Sequence, residues 1–180
     1  MNAEPTDVLR DEASLQVDQD GNLRHLLTLK GLDKSLLTDI LDDAETYLTG
    51  PGILPKRSRS LAGHTVANLF FEPSTRTRAS FDLAGKRLGA DVLNLDVNTS
   101  SRKKGESILD TIYTLQAMQV DVMVVRDASA GVPAYIARHV QPHVSILNAG
   151  ESDVSHPTQG LLDVLTIRQH KGAFEDLTVA

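Results

Sequence analysis

The chain has 180 residues, 41% hydrophobic and 23% charged, with a formal net charge of −6 and no cysteine. This suits one globular domain, or one domain and the opening of a second, and excludes a disulfide framework, a thiolate metal site and the basic surface of a nucleic-acid binder. No apolar run approaches the ~20 residues that span a bilayer, and no basic segment followed by an apolar core marks a secretory signal, so a cytoplasmic protein is expected.

Met1 to Gly21 is polar, with Asp7, Asp11, Glu12, Asp18 and Asp20, and reads as a flexible acidic arm. Asp33 caps a predicted helix that runs to Thr49, with Leu36, Leu37, Ile40, Leu41, Ala44 and Leu48 on one face. Gly50-Pro51-Gly52 stops it, and the basic Lys56-Arg57-Ser58-Arg59-Ser60 reads as a solvated loop. Val66 to Phe71 is a buried strand ended by Pro73 and Ser74. Ser74 or Thr75 then caps a helix with Phe81, Ala84, Gly85 and Leu88 inward.

A second short strand is expected over Asp91 to Val97, followed by a polar loop, 98–106, and a helix with Ile108, Leu109, Ile112 and Leu115 inward. Val120 to Val125 is nearly continuously apolar, as a central parallel strand would be. A short helix from Val132 to Val140 is started by Pro133. Val144 to Leu147 is a fourth strand, and 148–155 a loop. His156-Pro157-Thr158-Gln159 opens a last helix closed by Lys171-Gly172. Four strand-helix alternations predict an α/β fold: a parallel four-stranded sheet with helices on both faces. Residues 22–172 are expected to form this domain, and 173–180, where Leu177 to Ala180 resembles the start of a strand, to open a second one.

Open α/β sheets bind ligands beyond the carboxyl ends of their strands. Here the first strand exit carries Ser74, Thr75, Arg76, Thr77 and Arg78; the second, Ser100, Lys103 and Lys104; the third, Arg126; the fourth, His156 and Gln159. Hydroxyls and guanidiniums at a helix N-terminus make an anion site from free N–H groups, the positive end of the dipole and cationic forks. Lys103 and Lys104 precede a helix N-terminus, where a cation is disfavoured, so one of them is expected to reach an anion. The His156 imidazole can donate to a carbonyl oxygen gaining negative charge, and the Gln159 amide can orient another amide. There is no glycine-rich nucleotide loop, metal-ligand spacing or nucleophile elbow. The inventory fits direct attack on a bound acyl phosphate, with no cofactor or metal.

Ser74-Thr75-Arg76-Thr77-Arg78, Lys104-Gly105-Glu106, Arg126 and His156-Pro157-Thr158-Gln159, in this order and spacing, resemble the carbamoyl-phosphate half of the aspartate carbamoyltransferase family from about Leu23 onward. The resemblance implies a three-layer αβα domain in which Ser74, Thr75, Arg76 and Thr77 bind phosphate and Arg126 contacts phosphate and carbonyl oxygen. Thr77 and His156 would polarise the carbonyl and Gln159 orient the carbamoyl amide. Ser100 and Lys104 would belong to a loop entering a neighbouring subunit's active site, Lys104 touching phosphate and the aspartate carboxylates. Glu72 resembles a glutamate that links the two domains. The implied reaction makes N-carbamoyl-L-aspartate and phosphate from carbamoyl phosphate and L-aspartate, in pyrimidine synthesis. The implied assembly is a homotrimer, with regulatory or dihydroorotase-like chains left open. Ornithine carbamoyltransferase shares the S-x-R-T-R core but usually has Cys at the position of Thr158 and lacks the lysine at 104. A non-catalytic assembly subunit with the same fold is the other alternative. The family's second domain, with the arginines that hold aspartate, has no counterpart in these residues, so weak carbamoyl-phosphate binding without turnover is expected of them alone.

Overall fold

The computed structural model of the chain describes residues 14–96 and 107–179. The elements are α1 (Lys34–Thr46), β1 (Thr65–Phe70), α2 (Thr75–Leu88), β2 (Asp91–Asp96), α3 (Ile108–Ala117), β3 (Val122–Asp127), α4 (Val132–Ala137), β4 (Ser145–Glu151) and α5 (Pro157–Lys171). The four strands form one parallel sheet in the order β2-β1-β3-β4.

Alternation along the strands sends successive side chains to opposite faces. Ala67 and Leu69 of β1, Met123 and Val125 of β3 and Ile146 of β4 meet Ile112 and Leu115 of α3 and Ala134, Ile136 and Ala137 of α4 in the larger core. Val66, Phe70, Val124 and Ala149 face the other way, where Phe81 of α2 packs on them. Strand order accounts for this division. The crossovers β2–α3–β3 and β3–α4–β4 run in one direction across the sheet and β1–α2–β2 in the other, so right-handed connections place α2 opposite α3 and α4. The sheet is thus covered by helices on both faces, as the alternation predicts. Arg168 of α5 ties that helix to α1 through Asp42 (2.7 Å) and Glu45 (2.9 Å).

Two boundaries differ from the sequence reading. β4 continues to Glu151, taking in Asn148 to Glu151 from the expected loop; hydrophobicity fades there while pairing with β3 persists through Asp127. The expected arm up to Gly21 is also too long. Gln16 is fully buried, and its Oε1 accepts the Leu27 and Thr28 N–H groups at 2.7 and 2.8 Å. A polar residue is packed here because it satisfies backbone donors.

Chain direction reverses between β1 and β3: from β1 the chain turns outward to β2, from β3 to β4. This is the sheet's topological switch point, where such folds open a crevice. The Phe71 N–H donates to the Arg126 carbonyl at 2.8 Å, joining the two strand exits at the crevice floor.

Candidate anion-binding site

The β1 exit is buried at Phe71 and turns through Glu72 and Pro73 into α2. Ser74 takes the N-cap position, yet its side chain makes no cap hydrogen bond. The first-turn N–H groups have no acceptor inside the helix and stay available. Arg76 is exposed and Thr77 half-buried on this turn. At the other end α2 closes on Gly89, with φ +88, and with Lys86 and Arg87 in its last turn, so the dipole is complemented there and left open toward the crevice.

α5 repeats the arrangement. His156 is its N-cap, without a side-chain cap, and Pro157 occupies the first helical position. The contrast is α3, whose Ser107 and Asp110 form a reciprocal capping box. Two uncapped N-termini therefore open on one cleft of about 490 Å³ lined by Arg76, Thr77, Ser80, Phe81, His156, Thr158, Gln159 and Leu162.

Arg126, the penultimate residue of β3, lies on the α2 side of the sheet. Its Nη1 donates to the Ala149 carbonyl at 3.0 Å, and its Nε lies 2.6 Å from Glu72 Oε1. The Nε–H is not aligned on that oxygen, so this contact is an ion pair rather than a hydrogen bond. A Cβ built on Gly150, which has φ +118, collides with Arg126 Nη1 and reaches Arg126 Cζ at 3.1 Å and His156 Cδ2 at 3.2 Å. The guanidinium and the imidazole thus lie over the same glycine.

Partial burial, then the Arg126 charge, hold the His156 imidazole below the ordinary histidine range. Both influences favour the neutral form of the ring. Thr158 Oγ1 stands 3.2 Å from Nδ1. When that hydroxyl donates to Nδ1, the ring proton sits on Nε2 and can donate to a ligand. The Gln159 amide is exposed and donates to Asp163 Oδ1 at 2.9 Å.

The structure thus brings Ser74, Thr75, Arg76, Thr77, Arg126, His156 and Gln159 to one rim. Ser100, Lys103 and Lys104 lie outside the described residues. Glu72, read as a link between domains, pairs with Arg126 within this one. Sequence reasoning missed Ser80 and Thr158 as cleft lining and Gly150 as the surface beneath the two cationic and imidazole groups. Gly150 follows Asn148-Ala149 at a strand end, and a glycine there signals a close approach.

A parallel α/β domain with two open helix N-termini and two guanidiniums at its switch point has the architecture of the phosphate-binding α/β domains. Residues 24–169 match the carbamoyl-phosphate-binding domain of aspartate and ornithine carbamoyltransferases. The chain belongs to the aspartate/ornithine carbamoyltransferase family. It is similar to the catalytic subunit of M. jannaschii aspartate transcarbamoylase, with 38% identity over 83% of this chain and 48% of that one and a TM-score of 0.72. Aspartate transcarbamoylase from Trypanosoma cruzi, solved with N-(phosphonacetyl)-L-aspartic acid, is 33% identical over 89% of this chain and 47% of that one, with a TM-score of 0.69. Ornithine carbamoyltransferase from Thermus thermophilus is 28% identical over 87% and 52%, with a TM-score of 0.73. The chain spans about half the length of these solved relatives.

Proposed function

We propose that this domain binds carbamoyl phosphate for transfer of the carbamoyl group to the α-amine of L-aspartate. The observation that carries the reading is convergence: Arg76 and Thr77 share a cleft with His156 and Gln159, and Arg126 adjoins His156 over Gly150. In this reading the N–H groups and hydroxyls of Ser74, Thr75 and Thr77 receive the phosphate oxygens with the Arg76 fork. Arg126 spans phosphate and carbonyl oxygen. Thr77 and the neutral His156 donate to that oxygen as it gains charge, which preorganised donors favour in the transition state. Gln159 leaves Asp163 to orient the carbamoyl amide. The amine nitrogen bonds to the carbamoyl carbon, the bond from that carbon to the bridging oxygen breaks, phosphate leaves with the electron pair, and the amine loses a proton.

Aspartate is favoured over ornithine as acceptor. Thr158 stands where ornithine enzymes usually carry Cys, Lys104 suits a dicarboxylate rather than a second amine, and the aspartate relatives at 38% and 33% identity exceed the ornithine relative at 28%. The acceptor pocket belongs in this reading to a second domain beginning near residue 173, and Ser100 and Lys104 to a loop completing a neighbouring site in a trimer. The product would serve pyrimidine synthesis in the cytoplasm.

Calorimetric titration of the chain with carbamoyl phosphate tests the binding step. Saturable heat that inorganic phosphate competes away, and that Arg76→Ala abolishes, is the expected result. Unchanged affinity in Arg76→Ala would refute the phosphate role of that residue. Carbamoyl transfer in the presence of the second domain, assayed with aspartate and with ornithine, separates the two acceptors.

A further inference from the structure

Glu151 is 3% exposed at the end of β4. A carboxylate is rarely buried unless its oxygens are occupied. Here Oε2 accepts the Gly131 N–H at 2.7 Å, at the start of α4, and Oε1 accepts Asn148 Nδ2 at 3.0 Å. Asn148 is itself fully buried. Its Nδ2 also donates to the Leu27 carbonyl at 2.8 Å, and its Oδ1 accepts the Gly150 N–H at 2.9 Å. The Glu151 N–H donates to the Ser155 carbonyl at 3.0 Å, closing the turn that ends one residue before His156.

These bonds converge on the backbone beneath the cleft. Asn148 holds the amide of Gly150, whose φ of +118 lets the chain pass under the Arg126 guanidinium and the His156 ring. Arg126 Nη1 donates to the carbonyl just before it. The Glu151 carboxylate joins that backbone to α4 on one side, and its own amide fixes the approach to His156 on the other. The floor beneath Arg126 and His156 thus depends on these bonds.

We propose that Glu151, acting through Asn148 and the 151–155 turn, is a positioning residue that sets Arg126 and His156 at the spacing the ligand requires. The ligand part of this inference rests on the carbamoyl-phosphate reading above; the geometric part does not.

Glu151→Gln keeps the side-chain volume but puts an amide donor against one of two donors. Gln116→Ala is the control, because Gln116 is a buried acceptor for the Gln141 N–H at 2.6 Å, ahead of β4 and away from the cleft. Three quantities are measured in parent and variants: thermal midpoint, the pH titration of His156 by ring NMR, and calorimetric affinity for carbamoyl phosphate. In Glu151→Gln the His156 titration is expected to move up toward the ordinary histidine value and affinity to fall at least tenfold. Gln116→Ala is expected to lower the thermal midpoint while leaving the other two within twofold of the parent. The proposal is overturned if folded Glu151→Gln keeps both parental values, or if Gln116→Ala shifts them equally. If the parent binds no carbamoyl phosphate, the functional reading falls, and the His156 titration alone decides the role of Glu151.

Discussion

Arg126 and His156, thirty residues apart in sequence, rest against the same residue, Gly150, whose missing side chain makes room for both. Two demands meet at that position. Its φ of +118 is a conformation that L side chains rarely adopt, and its outer surface is occupied by the guanidinium. Gly150→Ala is therefore expected to destabilise the domain by about 1–3 kcal/mol through backbone strain alone. Its larger effect is on the site: the new methyl displaces Arg126, and carbamoyl-phosphate affinity drops tenfold or more. Thermal unfolding and calorimetry check both parts. An alanine variant with parental affinity would show that the Arg126 position does not matter to the ligand.

The same proximity has an electrostatic consequence. Burial and the Arg126 charge both lower the His156 pKa, and Asp163 opposes them. Arg126→Met removes the charge while keeping much of the stem. The His156 titration, followed by ring NMR, is expected to shift upward, because a cationic neighbour that disfavoured imidazolium is gone. A downward or absent shift therefore contradicts the described geometry.

How much of this was legible in the sequence follows from what each part depends on. The β1 exit could be read because an apolar run, a proline and a hydroxyl-arginine cluster are local signals. Parallel pairing followed from alternation. The order β2-β1-β3-β4 did not, since it rests on which strands share apolar faces across the chain. Asn148 to Glu151 read as a loop because their side chains are polar, small or absent, yet Asn148 and Glu151 are buried by bonding to each other and to backbone. Gln16 was misread for the same reason: its burial is justified by Leu27 and Thr28, eleven and twelve residues away. Hydrophobic periodicity detects apolar burial and misses buried polar residues whose partners are distant.

His25 supplies an acid-sensitive element in the fold. It is 1% exposed, and its Nδ1 accepts the Ile146 N–H at 3.0 Å. Burial, and then the charge of Arg24, push its pKa down to about 4. A histidine whose folded pKa lies below its unfolded value contributes stability fully above about pH 6.5, and that stability is lost as pH falls toward 4. The gap corresponds to about 3 kcal/mol. Protonation at Nδ1 would also remove the acceptor for Ile146. Denaturant melts at pH 7, 5.5 and 4 should show this loss. In His25→Asn, whose amide oxygen can take the place of Nδ1, the curve should flatten while stability at pH 7 falls modestly. If the slope between pH 6.5 and 4 is the same in that variant, another group is responsible.

Gly85 sets two familiar effects against each other. It is a buried glycine inside α2, and replacing an interior helical glycine by alanine gains about 1 kcal/mol of helix propensity. A Cβ there, however, would lie 2.8 Å from Val92 Cγ2 and 3.9 Å from Val66 Cγ2, so α2 sits on β1 and β2 too closely to admit a methyl. Overpacking of this kind costs about 1–3 kcal/mol, so the clash outweighs the propensity. Gly85→Ala is expected to lower stability, by about 1 kcal/mol when the two terms are combined. The close contact is with a side chain on the edge strand β2, which makes the cause separable. Gly85→Ala combined with Val92→Ala opens the space that the methyl needs, and it should recover much of the loss relative to Val92→Ala alone. A double-mutant cycle by urea unfolding reads this coupling. Strictly additive effects would mean that α2 shifts as a whole to admit the methyl. In that case the Arg76 turn at its N-terminus should move as well, and carbamoyl-phosphate affinity should change with it.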